Sequence, residues 1–146
     1  MATIIPEQDV SIGTLHALLD RAFFRSEVDE DGELYVTGGI DFPIWIGVDD
    51  DRRLVRLFTF ARRDLDRDPA YTEEDANRLS ASVVLSTFFV SPVRPERLYA
   101  HHFLTYEDGF LDAGFIALVR RFSGAALHGF KQVDEAEERT PARMAH

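Results

Sequence analysis

Cysteine is missing from the chain, which has 146 residues. Its absence excludes a disulfide framework, a thiolate nucleophile and any zinc or iron–sulfur site built on cysteine, and it is typical of a reducing compartment. Long apolar runs are missing too, because none approaches the roughly 18 residues that a membrane span needs. The first residues also lack the basic and apolar parts of a secretory signal. We therefore expect a cytoplasmic protein that makes no contact with a membrane.

Positive charge is scarce: 16 Lys and Arg residues stand against 26 Asp and Glu residues, which gives a formal net charge of −10. The adjacent arginines Arg52-Arg53, Arg62-Arg63 and Arg120-Arg121 are each offset by nearby acids. A surface of this sign repels phosphate backbones and anionic lipids. No basic cluster interleaved with aromatic residues appears. We therefore expect no nucleic acid among the partners.

Motifs of catalysis and cofactor binding are also lacking. The sequence has no Gly-x-Ser-x-Gly elbow, no phosphate-binding glycine loop with a lysine, and no Gly-x-Gly-x-x-Gly fingerprint. Acidic residues are so frequent that carboxylate pairs can be drawn anywhere, and such pairs do not indicate acid–base catalysis. We predict a protein that is not an enzyme and that binds no cofactor and no metal. A hydrolase with scattered acidic site residues is a weaker alternative.

Apolar residues are plentiful, and phenylalanine stands out among them with 12 copies. Hydrophobic residues make up 45% of the chain and charged residues 29%, which is typical of a globular domain with one packed core. We predict a single domain over residues 9–132. Residues 133–146 are acidic, then contain Pro141, and lack apolar spacing, which predicts a disordered tail.

Apolar residues recur at three- and four-residue spacing in three segments, which predicts three amphipathic helices. The first runs from about Ser11 to Phe23. The second runs from about Glu73 to Ser82, because Thr72 followed by three acidic residues caps its start and complements the helix dipole there. Val83-Val84-Leu85 either ends this helix or begins a strand. The third helix begins after Asp112, which can serve as its cap.

Alternating apolar residues between these helices predict antiparallel strands. Asp31-Gly32 favours the positive backbone angles of a tight hairpin turn, and Asp49-Asp50-Asp51-Arg52 separates a second strand pair. The predicted strands are residues 24–28, 33–37, 42–48, 53–61, 87–91 and 97–106. Residues 24–28 form either a true strand or only the exit from the first helix. The predicted fold is α+β, an antiparallel sheet with elements in the order α-β-β-β-α-β-β-α.

Two groups of residues are of the types that bind metals. Asp64, Asp66 and Asp68 have the alternate spacing of a calcium loop, but a proline replaces the glycine of its sharp turn, and we interpret the segment as a solvated loop. His101 and His102 are adjacent on a predicted strand, so their side chains point to opposite faces and cannot hold one metal. We predict packing or hydrogen-bonding roles for both, with either imidazole poised to tune a dimer contact near neutral pH.

The later strands carry apolar side chains on both faces of the sheet. Leu98, Ala100 and Leu104 point to one face, while Tyr99 and Phe103 point to the other. A monomer seldom exposes a large apolar patch, so the second face is covered by helices or loops, by a second copy, or by another protein. For a contact surface we select five apolar residues at the end of the middle helix and on the following strands: Val83, Leu85, Phe88, Phe89 and Tyr99.

The order of elements resembles the YbjN family, whose fold is like that of type III secretion chaperones, over most of residues 11–130. The matching features are the Asp29-Glu30-Asp31-Gly32 turn before Leu34-Tyr35-Val36, the strand pair Pro43-Ile44-Trp45-Ile46 and Leu54-Val55-Arg56-Leu57, Asn77 in the middle helix, and Tyr106-Glu107-Asp108-Gly109-Phe110-Leu111 leading into Phe115-Ile116-Ala117-Leu118-Val119. The resemblance implies a convex α/β layer, a tendency to form homodimers, no known catalytic role and, for some members, a proposed part in sensory transduction. Secretion chaperones of similar shape bind extended client segments on apolar patches and along sheet edges.

The composition, the pattern and the resemblance together favour a non-enzymatic protein-binding module with a chaperone-like or regulatory role. We expect it to act as a homodimer and to bind an unidentified client or regulatory protein. The alternative is a small-ligand sensor whose Phe-lined interior encloses a pocket. A sealed core distinguishes the binding module from the sensor.

Overall fold

The structure, a computed structural model, describes residues 2–138 and is built from eight strands and three α-helices. The helices are α1 Ile12–Arg21, α2 Glu73–Ser82 and α3 Asp112–Glu138, and a 3₁₀ turn covers Glu7–Asp9. The strands are β1 Ile4–Ile5, β2 Arg25–Val28, β3 Leu34–Gly38, β4 Ile44–Asp49, β5 Leu54–Arg62, β6 Thr87–Phe89, β7 Arg97–Thr105 and β8 Phe110–Leu111. The fold is α+β, as predicted, and it keeps the predicted order of elements apart from the short strands β1 and β8 and a fourth strand before α2, where the predicted order has three.

Strands β2 to β7 form one antiparallel sheet in the order β2-β3-β4-β5-β7-β6. Hairpins join β2 to β3 and β4 to β5, and β5 pairs with β7 over nine residues in the centre of the sheet. Gly32 has a φ of +79° in the first hairpin turn, which is the conformation that the Asp-Gly pair predicts. Of the two alternatives for residues 24–28, the structure shows a true edge strand, β2.

Helix α2 has the predicted bounds because its start is strongly specified. The Thr72 hydroxyl accepts a hydrogen bond from the amide of Asp75 at 3.1 Å, and Ser11 caps α1 in the same way through Thr14. Helix α1 ends with Phe23 in a left-handed conformation, with φ +68°, and this ring is 92% exposed. Phe23 therefore lies outside the core even though it is large and apolar.

The core lies between the sheet and the helices. It contains alternate residues of the central strands, such as Leu57 and Leu98, and the inner stripe of α3. Gly129 of α3 lies directly against the ring of Phe88, so the helix approaches β6 at a point where any side chain would collide. Helix α3 thus covers the sheet closely.

The tail differs from the sequence prediction. Helix α3 continues to Glu138, so residues 133–138 are helical where disorder was predicted. The reason is tertiary: Val133 is fully buried, and the carboxylate of Asp134 lies 3.3 Å from the guanidinium of Arg63. The rest of the predicted tail, residues 139–146, falls outside the described residues.

The strand predicted over residues 87–91 is shorter in the structure and ends at Phe89.

The described helices do not have the combination of length and hydropathy that crossing a membrane requires.

Candidate functional site

The helices cover one face of the sheet and leave the other face open in the part of the chain that the structure describes. On the covered side the strand residues are fully buried, whereas their neighbours in sequence are only half buried. We call the second side the open face. Its aromatic and basic members are Tyr35, Trp45, Arg56, Phe58, Phe60, Arg62, Phe89, Arg97, Tyr99, His101 and Phe103.

Strand register brings these rings together. Tyr35, Trp45, Phe58 and His101 are direct neighbours on β3, β4, β5 and β7, so their side chains form one row across the sheet. Phe60, Tyr99 and Phe89 form a second row on β5, β7 and β6. Because strand residues alternate in direction, one choice of register places all of these rings on the same side.

The rings contact one another in a continuous array. The Trp45 ring lies 4.7 Å from Tyr35 and 5.4 Å from Phe60, measured between ring centroids. Phe60 continues to Tyr99 at 5.9 Å, and Tyr99 stacks on Phe89 at 5.0 Å. These separations are those of favourable aromatic pairs, roughly 4.5–7 Å. The array is therefore preorganised, and it presents a broad apolar surface.

Two guanidinium groups lie flat on this array. The Arg56 guanidinium is 4.4 Å from the Phe58 ring centroid, and that of Arg97 is 4.0 Å from the Phe60 centroid. Within residues 2–138 neither arginine forms an ion pair with a carboxylate. The Nε atom of each is buried and has no hydrogen-bond partner. Both groups therefore have unused capacity to bind an anion or a carbonyl.

His101 lies inside the open face, while His102 points to the opposite side, as predicted for adjacent strand residues. The His101 ring sits 4.8 Å from Phe89 and 5.0 Å from Phe103. Burial, then Arg56, then His102 lower the pKa of His101, and burial lowers the pKa of His102. Nδ1 of His101 is buried without a hydrogen-bond partner. His101 is therefore held neutral beside the exposed ring of Phe103.

An acidic group that was not predicted from the sequence borders the open face at the β2–β3 turn. One carboxylate oxygen from each of Asp29, Asp31 and Glu33 lies within 4.8 Å of the others. Asp29 accepts hydrogen bonds from the amides of Asp31 and Glu33, both at 2.9 Å, so the cluster shapes the turn. Burial, then Asp29, raises the pKa of Glu33, while Arg56 lowers it and Asp31 raises it. In the sequence, the only sign of this cluster is that Asp29, Asp31 and Glu33 stand at alternate positions.

The predicted calcium loop is organised differently. Asp64 accepts a hydrogen bond from the amide of Asp66 at 3.0 Å, which is the geometry of a turn. Asp64, Asp66 and Asp68 are not among the carboxylates that converge in the described chain. The arrangement matches the interpretation as a loop.

A shallow cleft of about 590 Å³ interrupts the open face above Gly47. It forms because Gly47 has no side chain, and the Glu33 carboxylate lies across the gap, 2.8 Å from where a Cβ would stand. Arg56, His101 and Phe103 line the other side. The cleft therefore has an acidic wall and a basic, aromatic wall.

The five residues selected from the sequence fall into two places. Phe89 and Tyr99 stack on the open face. Val83 and Phe88 lie in the core of the protomer, 7% and 3% exposed, and Leu85 is half buried in the connection between α2 and β6. The structure thus brings together two of the five on one accessible surface. The larger part of that surface comes from Trp45, Phe58 and Phe60, which precede the segment that we selected.

Comparison with known proteins adds a likeness of fold. No protein-family profile and no curated protein matches the sequence. Among solved structures, the crystal structure of YbjN, described as "a putative transcription regulator from E. coli", aligns with a TM-score of 0.68 and 16% sequence identity. The alignment covers 88% of this chain and 94% of that chain. Agreement over nearly all of both chains at so low an identity concerns the fold, and the chain therefore has a YbjN-like fold.

Proposed function

We propose that the protein is a non-enzymatic protein-binding module with a chaperone-like or regulatory role, and that it forms a homodimer through the open face. The observation that carries this proposal is the array of stacked rings on a sheet face that no described helix covers. Tyr, Trp, Phe and Arg are the residues enriched at the energetic centres of protein interfaces. The open face consists largely of these four types.

The size of the open face supports a second copy as the occupant. The face extends over β3, β4, β5, β7 and β6, neighbours that lie roughly 4.8 Å apart. In that order the strands are 5, 6, 9, 9 and 3 residues long, at roughly 3.4 Å per residue. The resulting flat area is roughly 500 Å², and the relief of the side chains brings it towards the ~600 Å² per partner at the lower end of specific interfaces.

The charges of the face also support self-association. An isologous interface places the same patch on both sides, so it has to carry groups of both signs if they are to be paired. Glu27 and Glu33 lie on the β2–β3 side, and Arg56 and Arg97 lie on the β5–β7 side. A purely acidic partner would leave the glutamates unpaired, and a purely basic one would leave the arginines unpaired.

A client or regulatory protein would then bind at the free edge of the sheet. The other edge is closed, because the Ser80 hydroxyl accepts from the Phe88 amide at 2.8 Å and donates to its carbonyl at 3.1 Å. No described strand pairs with the outer side of β2, which offers backbone groups to an added strand. The YbjN description as a transcription regulator supports a regulatory role for such binding.

A small-ligand sensor has less support. Three clefts described for residues 2–138 are open to the surface, and among phenylalanines Phe103 alone lines these three. The buried phenylalanines pack instead against one another and against α3. No observation favours a ligand inside this core.

Sedimentation velocity of the full chain tests the proposed function. We expect a dimer for the wild type and a monomer for Phe89→Asp, since a carboxylate in place of the ring that stacks on Tyr99 would have to lose its water in the interface. Phe23→Asp is the matched control, because that ring is exposed and lies away from the open face. It should stay dimeric. A wild-type monomer at the highest soluble concentration, or a dimer of Phe89→Asp with intact circular dichroism, would contradict the proposal.

A further inference from the structure

The charged groups of the open face are divided between the two halves of the sheet. Glu27 lies in the row of Tyr35 and Trp45, and Glu33 precedes the β3 residue that pairs with Ile46. The basic groups lie beyond the centre, with Arg56 on β5 and Arg97 on β7. In the order β2-β3-β4-β5-β7-β6, the boundary between the halves falls between β4 and β5.

Resting on the homodimer proposed above, we infer that two copies pack face to face about a two-fold axis that runs parallel to the strands between β4 and β5, with Arg56 of each copy bound to Glu33 of the other across Gly47. Such an axis places β4 over β5, β3 over β7 and β2 over β6. It therefore sets the acidic half of each sheet over the basic half of its partner. Among axes parallel to the strands, it is also the placement that overlaps the largest part of both sheets.

Register determines which residues meet. Gly47 and Arg56 are direct neighbours across β4 and β5, so an axis midway between these strands exchanges their positions. Arg56 of one copy then stands over the gap at Gly47 of the other, where the Glu33 carboxylate lies. Aligned sheets cross at about 30°, and this rotation displaces the pair by no more than an arginine side chain can reach. The contact fills the cleft.

Inside one copy the two groups lie close enough for Arg56 to lower the pKa of Glu33, but they form no described ion pair. Arg56 forms no ion pair within the described chain, and its Nε is buried without a hydrogen bond. The Glu33 carboxylate is partly buried among acids and has no described ion pair either. A charge-assisted pair in the interface satisfies both.

An axis perpendicular to the strands is disfavoured by the same charges. It would lay each strand over its own copy, so that the β2–β3 acids would face acids and the β5–β7 arginines would face arginines. Like charges that oppose each other in an interface strongly weaken association, which excludes that arrangement. The Gly47 cleft would also face no basic group.

Charge reversal tests the pairing with the full chain. In Glu33→Arg, two arginines face each other at both symmetric contacts, and in Arg56→Glu two glutamates do so. We expect each variant alone to dimerise about 30-fold more weakly than the wild type or worse. An equimolar mixture of the two variants should form a heterodimer. One of its two contacts then joins the introduced arginine of the first variant to the introduced glutamate of the second, and the other contact keeps the native pair of Arg56 and Glu33. Sedimentation velocity with one variant fluorescently labelled measures this directly.

Controls separate this inference from the proposed function. Asp20→Arg and Arg67→Glu make charge changes of the same signs, one at an exposed site on helix α1 and one in the exposed loop after β5, and should remain dimeric. Attraction within one chain cannot produce a heterodimer from two monomeric variants, so recovery on mixing supports the intermolecular pair. Variants that stay dimeric alone, or a mixture that stays monomeric, overturn the pairing, while the loss of the dimer in Phe89→Asp would still uphold the binding face. A monomeric wild type overturns both.

Discussion

At the scale of single residues, the two glycines in the middle of α3 have opposite surroundings. A Cβ at Gly129 would collide with the ring of Phe88, which is held in the core, whereas a Cβ at Gly124 would approach only the flexible carboxylate of Asp41, at 3.0 Å. Replacement of glycine by alanine inside a helix by itself stabilises by roughly 0.5–1 kcal/mol. The surroundings therefore decide whether each substitution raises or lowers the free energy of unfolding.

We predict that Gly129→Ala lowers the free energy of unfolding by about 1–3 kcal/mol, because overpacking outweighs the gain in helix propensity. Gly124→Ala is the matched control and should raise it by about 0.5–1 kcal/mol. Urea unfolding followed by circular dichroism measures both. Equal effects of the two substitutions would show that α3 does not press against Phe88.

At the scale of secondary-structure elements, helix α2 closes the edge of the sheet through one hydroxyl. Ser80 satisfies the outward amide and carbonyl of Phe88 on β6. Both hydrogen bonds are partly buried, and an unsatisfied backbone group in such a place costs about 1–3 kcal/mol. The hydroxyl thus takes the place of a neighbouring strand.

We predict that Ser80→Ala destabilises the protein by about 1–3 kcal/mol and speeds hydrogen exchange at the Phe88 amide. Ser82→Ala is the matched control, since its hydroxyl bonds only the Arg78 carbonyl one turn earlier and the site is exposed. It should change stability by no more than about 0.5 kcal/mol. Unchanged exchange at Phe88 in Ser80→Ala would mean that water replaces the hydroxyl without cost.

Sequence patterns were enough to predict those helices and strands whose limits are marked by neighbouring residues in the sequence. The start of helix α2 was predicted well, because a capping threonine and an acidic first turn define where it begins, whereas its end had no such signal. Strands β1 and β8 were missed because two residues, such as Ile4–Ile5, are too short to show a period and form only by pairing with each other. The end of α3 was missed because Asp134 is held by Arg63, a contact between positions distant in sequence.

The candidate site could be predicted in part, because the alternation of residues along a strand is a local signal. Alternation on the later strands showed that Tyr99 and Phe103 share a face, and the structure confirms this register. Which face the helices cover depends on tertiary packing, so the open face could not be assigned in advance. The selection of Phe88 illustrates the limit, since it is adjacent to Phe89 and points into the core. The Gly47 cleft depends on the register of β4 with β5.

At the scale of the whole molecule, the histidines couple stability to pH, and they would couple the proposed dimer to pH as well. The pKa of His101 is lowered from its ordinary value of 6.5 by burial, by Arg56 and by His102, and the pKa of His102 is lowered by burial. Near pH 6.5 the unfolded chain therefore binds more protons at these histidines than the folded chain does. Their contribution to stability is complete above that pH and is lost as the pH falls through the lowered folded values.

Assembly through the open face should strengthen this effect. A second copy removes water from around His101 while Arg56 stays close, so protonation opposes the dimer as well as the fold. We predict that the wild-type dimer weakens between about pH 7.5 and about pH 5.5 and that His101→Gln loses most of this dependence. His128→Gln is the control, because that ring lies exposed on α3. Sedimentation at both pH values measures the change, and a dimer whose strength is the same at both would place His101 outside the interface.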